Sequence, residues 1–157
     1  MKVILIVVGK TDQKYLEEGI GKYVKRIPHY IPFEMRIIPD IKNTKNLSVN
    51  EQKDREGKTI LNGINNSDHL ILLDEKGKDF KSTEFAAFMQ KKMNAGLKNL
   101  VFLIGGPYGF SPDVYARANG KISLSKMTFS HQLVRILFVE QLYRAMTIIK
   151  GEPYHHE

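Results

Sequence analysis

The chain predicts a single α/β domain built on a largely parallel sheet, and three observations carry that prediction. Short apolar runs of strand length alternate with stretches of helical periodicity. No internal repeat, low-complexity segment or long linker divides the 157 residues, a length typical of one domain. The apolar run at 100–104 leads straight into Gly105-Gly106-Pro107-Tyr108-Gly109, the strand–glycine loop–helix arrangement of a βαβ unit.

In chain order, residues 2–8 (KVILIVV) read as a strand buried on both faces. A basic residue followed by six apolar ones is too short for a secretory signal, and Gly9-Lys10 closes the run. Residues 13–26 read as a helix, because Tyr15, Leu16, Ile20, Tyr23 and Val24 fall near helical spacing. Pro28 and Pro32 bracket a loop before a second strand at 33–38, and the polar segment 39–47 is a loop. Ser48 with Glu51 three residues on forms a capping box for a helix over about 49–61, which Asn62-Gly63 stops.

Residues 69–73 (HLILL) predict a third strand, and Asp74-Glu75-Lys76-Gly77-Lys78 a solvated loop. Ser82 or Thr83 caps a helix to about Met93, ended by Ala95-Gly96. After the fourth strand at 100–104, Ser111-Pro112 reads as an N-cap followed by proline at the first helical position. A fifth strand at 121–124 and a loop at 125–130 precede a final helix over about 131–149. That helix is apolar on more than one stripe, through Leu133, Val134, Ile136, Leu137, Phe138, Val139, Leu142 and their successors. A monomer's surface helix shows one polar face, so this one predicts a homodimer interface.

Composition bounds the chemistry. With no cysteine there is no disulfide, thiolate zinc site or cysteine nucleophile, which fits a cytoplasmic protein. No apolar run approaches the ~20 residues that span a bilayer. The net charge of +7 points toward a polyanionic partner, and from Arg117 to Gly151 six cations stand against Glu140 alone. His155-His156-Glu157 lacks the spacing of a zinc site, so no metal is expected.

In an open α/β sheet, ligands sit outside the carboxyl ends of the strands, so the loops at 105–109 and 125–130 should share one pocket. Glycines let the backbone approach a ligand closely. The loop is neither a Walker A sequence nor G-x-G-x-x-G, which favours a nucleoside without a phosphate chain. Leu124-Ser125-Lys126-Met127-Thr128-Phe129 could flank a flat heterocycle. Arg144 either pairs with Glu140 at the i, i+4 spacing or faces a phosphate or base. On the residues alone, a non-catalytic RNA-binding or ribosome-binding module and a small-molecule α/β enzyme both remain open.

Four separated blocks narrow the choice: Leu103-Ile104-Gly105-Gly106-Pro107-Tyr108-Gly109; Leu124-Ser125-Lys126-Met127-Thr128-Phe129-Ser130-His131; Glu140-Gln141-Leu142-Tyr143-Arg144-Ala145; and Gly151-Glu152-Pro153-Tyr154-His155. Together with Val8-Gly9-Lys10 and Asp54-Arg55-Glu56-Gly57, they make the whole chain resemble the ribosomal RNA large-subunit methyltransferase H family, small enzymes of the SPOUT class. The resemblance implies methylation of N3 of a pseudouridine in large-subunit rRNA, with S-adenosylmethionine as donor. It also implies a homodimer whose C-terminal part is tied in a trefoil knot, a feature that general chain-connection rules argue against. By position, Leu73, Gly105, Leu124, Ser125, Lys126, Met127, Thr128 and Phe129 would hold the methyl donor. Arg144, Tyr154 and His155 would lie near the target base, contributed across the dimer interface. One departure is that Ser130 stands where many relatives carry proline, so the loop loses that source of stiffness.

Overall fold

Strand β1 (Lys2–Val8) is buried along nearly its whole length, which is why its side chains are apolar in sequence rather than in alternation. The structure, a computed structural model describing residues 1–156, sets β1 between β2 (Phe33–Ile38) and β4 (Asn99–Ile104). With β3 (His69–Asp79) and β5 (Gly120–Ser123) the sheet runs β2-β1-β4-β3-β5, and every pairing is parallel.

Successive side chains of a strand point to opposite faces, so each strand feeds two cores. Val3, Leu5, Val7, Leu100 and Phe102 pack under α1 (Lys14–Arg26), α3 (Ser82–Asn94) and α5 (Leu133–Lys150). Ile4, Ile6, Val8, Val101 and Leu103 pack under α2 (Val49–Asn62) and α4 (Pro112–Arg117). The crossovers β1 to β2 and β3 to β4 move one way across the sheet over the first face. Those from β2 to β3 and β4 to β5 move the opposite way over the second. Reversing both direction and face preserves the hand, so all four crossovers share it. Adjacent strands β3 and β4 therefore send the chain to opposite faces, which opens a crevice at their carboxyl ends.

The strand and helix expectations hold with small shifts in their ends, and the differences have physical causes. Residues 74–78 are not simply a loop. β3 pairs Leu73 with Ile122, bends outward, and returns to pair Lys78 with Ile122 and Asp79 with Ser123. A Cβ on Gly77 would stand 2.6 Å from the Ile122 backbone, so this close return requires glycine. Ser48 caps α2 as expected, accepting from the Glu51 amide at 3.1 Å. At α3 the N-cap is Lys81 instead of Ser82 or Thr83. Its amide donates to Glu84 Oε1 at 2.8 Å, while the Ser82 hydroxyl is directed to Gln141 Oε1 on α5 at 2.7 Å.

The α5 helix begins at Leu133, and Ser130 prepares its entry. The Ser130 hydroxyl accepts from the Leu133 amide at 3.1 Å and its carbonyl from the Val134 amide at 3.1 Å. The serine thus ties the turn that leads into α5, whose N-cap is Gln132, in place of a proline's stiffness. One turn further on, Arg135 is fully buried and donates to the Val8 carbonyl at 2.7 Å, the Gly9 carbonyl at 2.8 Å and the Thr11 hydroxyl at 3.2 Å. These bonds fasten the start of α5 to the carboxyl end of β1.

Candidate active site

The loops after β3, β4 and β5 surround a cavity of about 820 Å³ at the crevice. That volume suits a small-molecule site. Gly105 and Met127 border the same space, as the pairing of the two loops requires. Leu73, Leu124, Ser125, Thr128 and Phe129 line it too. Lys126 does not. Its side chain is 90% exposed, with its ammonium 4.0 Å from Asp79 on the rim. Geometry therefore gathers seven of the eight residues expected at the donor site and leaves Lys126 outside.

Several wall residues escaped the sequence reading. Asp74 and Glu75 line the cavity, Asp74 half-buried and Glu75 exposed, and each is held by another wall residue. The Tyr115 hydroxyl donates a very short hydrogen bond to Asp74, and the Thr128 hydroxyl donates to Glu75 Oε2 at 3.0 Å. Burial, then the Asp74 carboxylate, push the Tyr115 phenol up to about 12. From α2, Glu56 Oε1 accepts from the Gly106 amide at 3.3 Å, fixing the glycine loop from behind. Burial raises the Glu56 carboxyl above its ordinary range, and the amide opposes that rise. His131 also borders the cavity, and burial, then the Arg135 charge, hold its pKa below the usual value. The Asp54-Arg55-Glu56-Gly57 match was the only sign that α2 would reach the site. No local pattern couples Glu56 to Gly106 across fifty residues.

Glycine geometry explains how the wall is made. A Cβ on Gly105 would lie 2.8 Å from the Phe110 ring, and Gly109 has φ +80°. The loop turns sharply while its backbone faces the cavity. Apolar surfaces from Leu73, Leu124 and Phe129 share the lining with the acids Asp74 and Glu75 and the cations Lys53 and Lys76. This donor set fits an adenosyl group bearing a sulfonium and an ammonium: apolar walls for the base, carboxylates for the positive charge and hydroxyls.

The other expected group assembles elsewhere. Arg144 pairs with Glu140, its Nε 3.1 Å and its Nη2 2.5 Å from Oε1, so the i, i+4 alternative is the one realised. Tyr154 donates to the same oxygen at 3.1 Å and lies 4.8 Å beneath the guanidinium. His155 Nδ1 is 3.1 Å from Arg144 Nη1. The Glu140 bond raises the Arg144 pKa, and burial together with its Tyr23 and Glu140 contacts raises that of Tyr154. Arg144, Tyr154 and His155 thus form one cluster, but none of them lines the 820 Å³ cavity of its own chain. Glu157 lies outside the described residues. Among those described, no group of three or more His, Asp or Glu could hold a metal ion.

A parallel α/β sheet whose loops surround a nucleoside-sized cavity at a switch point defines a class of small nucleotide-using enzymes. The chain belongs to the SPOUT methyltransferases: residues 1–155 match the family described as "Predicted SPOUT methyltransferase". Such enzymes take their methyl group from S-adenosylmethionine. The chain is 62% identical over 156 residues to the ribosomal RNA large subunit methyltransferase H of Christiangramia forsetii, covering 99% of each chain. It is 60% identical over 157 residues to the proteins of the same name from Parabacteroides distasonis and Flavobacterium psychrophilum, covering all of each.

Proposed function

We propose that the protein methylates large-subunit ribosomal RNA at N3 of a pseudouridine, acting as a homodimer in the bacterial cytoplasm. The observation that carries this reading is the donor-sized cavity in a chain whose full-length relatives are named for large-subunit rRNA. The trefoil knot belongs to the same proposal. It is supported by the match of residues 1–155 to the SPOUT methyltransferase family, whose resemblance implies that knot.

S-adenosylmethionine, when bound, supplies an electrophilic methyl group. The chain's own residues have two tasks, to align the acceptor and to manage one proton. Leu73, Gly105, Leu124, Ser125, Met127, Thr128 and Phe129 form the donor pocket, with Lys126 at its rim. The Arg144 guanidinium favours the N3 anion of the acceptor over its neutral form. Arginine only donates, so its contact makes His155 Nδ1 an acceptor and leaves the proton on Nε2. In this state His155 can donate to a base edge; to act as general base it must release Arg144. Tyr154 holds the guanidinium from its face.

The dimer follows from the separation of the two groups. A second copy must bring the Arg144 cluster to the donor cavity. Beside α5 an apolar hollow of about 510 Å³, lined by Phe80, Phe129, Ile136 and Leu137, is suited to receive it. Arg144→Ala should keep S-adenosylmethionine affinity within about twofold by calorimetry, yet lose methyl transfer by a hundredfold or more, the scale of a removed charge-stabilising group. Equal loss of both would place Arg144 in the donor site or the fold. A wild-type chain that binds RNA and gives no heat with S-adenosylmethionine would favour a non-catalytic binding module.

A further inference from the structure

The crossover helices α1 and α3 run antiparallel to the strands, and α5 starts beside the carboxyl end of β1 through Arg135, so all three end toward the amino edge of the sheet. Each ends in cations: Lys25 and Arg26 on α1, Lys91 and Lys92 on α3, Lys150 on α5. Lys22 lies one turn back on α1. Lys98 stands at the same edge, its carbonyl accepting from the Lys2 amide at 2.9 Å. Because α5 packs between α1 and α3, these ends lie side by side. Acids at this edge are engaged: Glu34 with Lys2 at 2.7 Å, Glu152 with the Tyr30 hydroxyl at 2.6 Å, and Asp68 with the Asn99 side chain at 2.9 Å.

The edge is joined to the Arg144 cluster by a run of rings. The Arg26 guanidinium lies 5.8 Å from the Tyr143 ring, Tyr143 is 4.9 Å from Tyr154, and Arg144 covers Tyr154. We infer that the amino-edge cations of α1, α3 and α5 form the surface that holds the phosphate backbone of the RNA substrate beside the Arg144–Tyr154–His155 cluster. The inference rests on the proposed rRNA reaction and adds the place where the RNA lies. Neighbouring helix axes are about 10 Å apart, so three helix ends span the distance of several successive phosphates. Exposed lysines here cost little when empty and release counterions when a phosphate takes their place.

Cations at helix C-termini also favour the helix dipole. That smaller role predicts a lower melting temperature and unchanged RNA binding. The test is a triple variant, Lys25→Gln with Lys91→Gln and Lys150→Gln, compared with a remote triple of equal charge change, Lys42→Gln with Lys45→Gln and Lys58→Gln. The probes are large ribosomal subunits and a naked rRNA stem-loop, titrated over a range of salt. The edge triple should lower the slope of log affinity against log salt by roughly 2 to 3, and raise KM for subunits roughly tenfold or more at 0.1 M salt. The kcat at saturation and the S-adenosylmethionine affinity should hold. Equal losses from both triples would mean net charge alone acts, and would overturn the inference, as would an unchanged slope in the edge triple. Binding needs no methyl transfer. A wild type that binds RNA through this edge without methylating it would count against the proposed reaction and leave the surface standing.

Discussion

Arg135 shows how one side chain fastens distant parts of the chain. Its place among apolar neighbours on α5 announces a need for partners, but the partners are backbone carbonyls 126 and 127 residues away, which no local pattern identifies. Truncation would leave buried carbonyls of Val8 and Gly9 without donors, each costing about 1–3 kcal/mol. Arg135→Ala should therefore lower unfolding stability in urea by about 3 kcal/mol, and Arg135→Lys should recover only part, since one ammonium cannot fork to both carbonyls. A loss under 1 kcal/mol would contradict this account of the contact. His69 and His131 carry the pH dependence. Burial, first among the causes, lowers both pKa values below 6.5, and the His69 Nε2 is buried without a hydrogen-bond partner among the described residues. The folded chain takes up protons at both rings less readily than the unfolded chain does, so their contribution is present above 6.5 and lost as pH falls. The melting temperature should decline from pH 7.5 to 5.5, and His69→Gln should remove part of the decline. A flat wild-type profile across that window would contradict it.

At the scale of elements, the buried runs of β1 and β4 and the capping of α2 and α4 are legible because each depends on residues within a few positions. The extension of β3 was hidden because Asp74, Glu75 and Lys78 look like a solvated turn. Only the contact between Gly77 and β5 makes the chain return to the sheet. The α5 helix was readable as too apolar for one sheet face. Leu133 remains exposed, and Ile136, Leu137 and Ile148 are only half-buried within one chain. Leu137→Glu would place a charge in that surface, with a cost well above 1 kcal/mol per subunit if the surface is covered. Sedimentation at micromolar concentration should show a dimer for the wild type and a monomer for Leu137→Glu. A wild-type monomer would remove the proposed route by which Arg144 reaches a donor cavity.

Across the whole molecule, parallel order and a common crossover hand place three loops at one sheet edge, and so create the 820 Å³ cavity proposed to hold the methyl donor. Composition showed the excess of positive charge, and topology concentrates cations at the opposite edge. The cavity-lining residues were legible where they shared a loop; the cluster of Arg144, Tyr154 and His155 was nameable only through resemblance, because its members meet by the fold of the C-terminal tail. In the proposed reaction these two groups act on one pseudouridine between two subunits. The most direct measurement incubates the protein and S-adenosylmethionine with ribosomes from a strain lacking the corresponding methyltransferase, and locates the product by mass spectrometry. The expected result is one added methyl group on a single large-subunit pseudouridine; methylation of another residue, or none with the donor demonstrably bound, would contradict the claim.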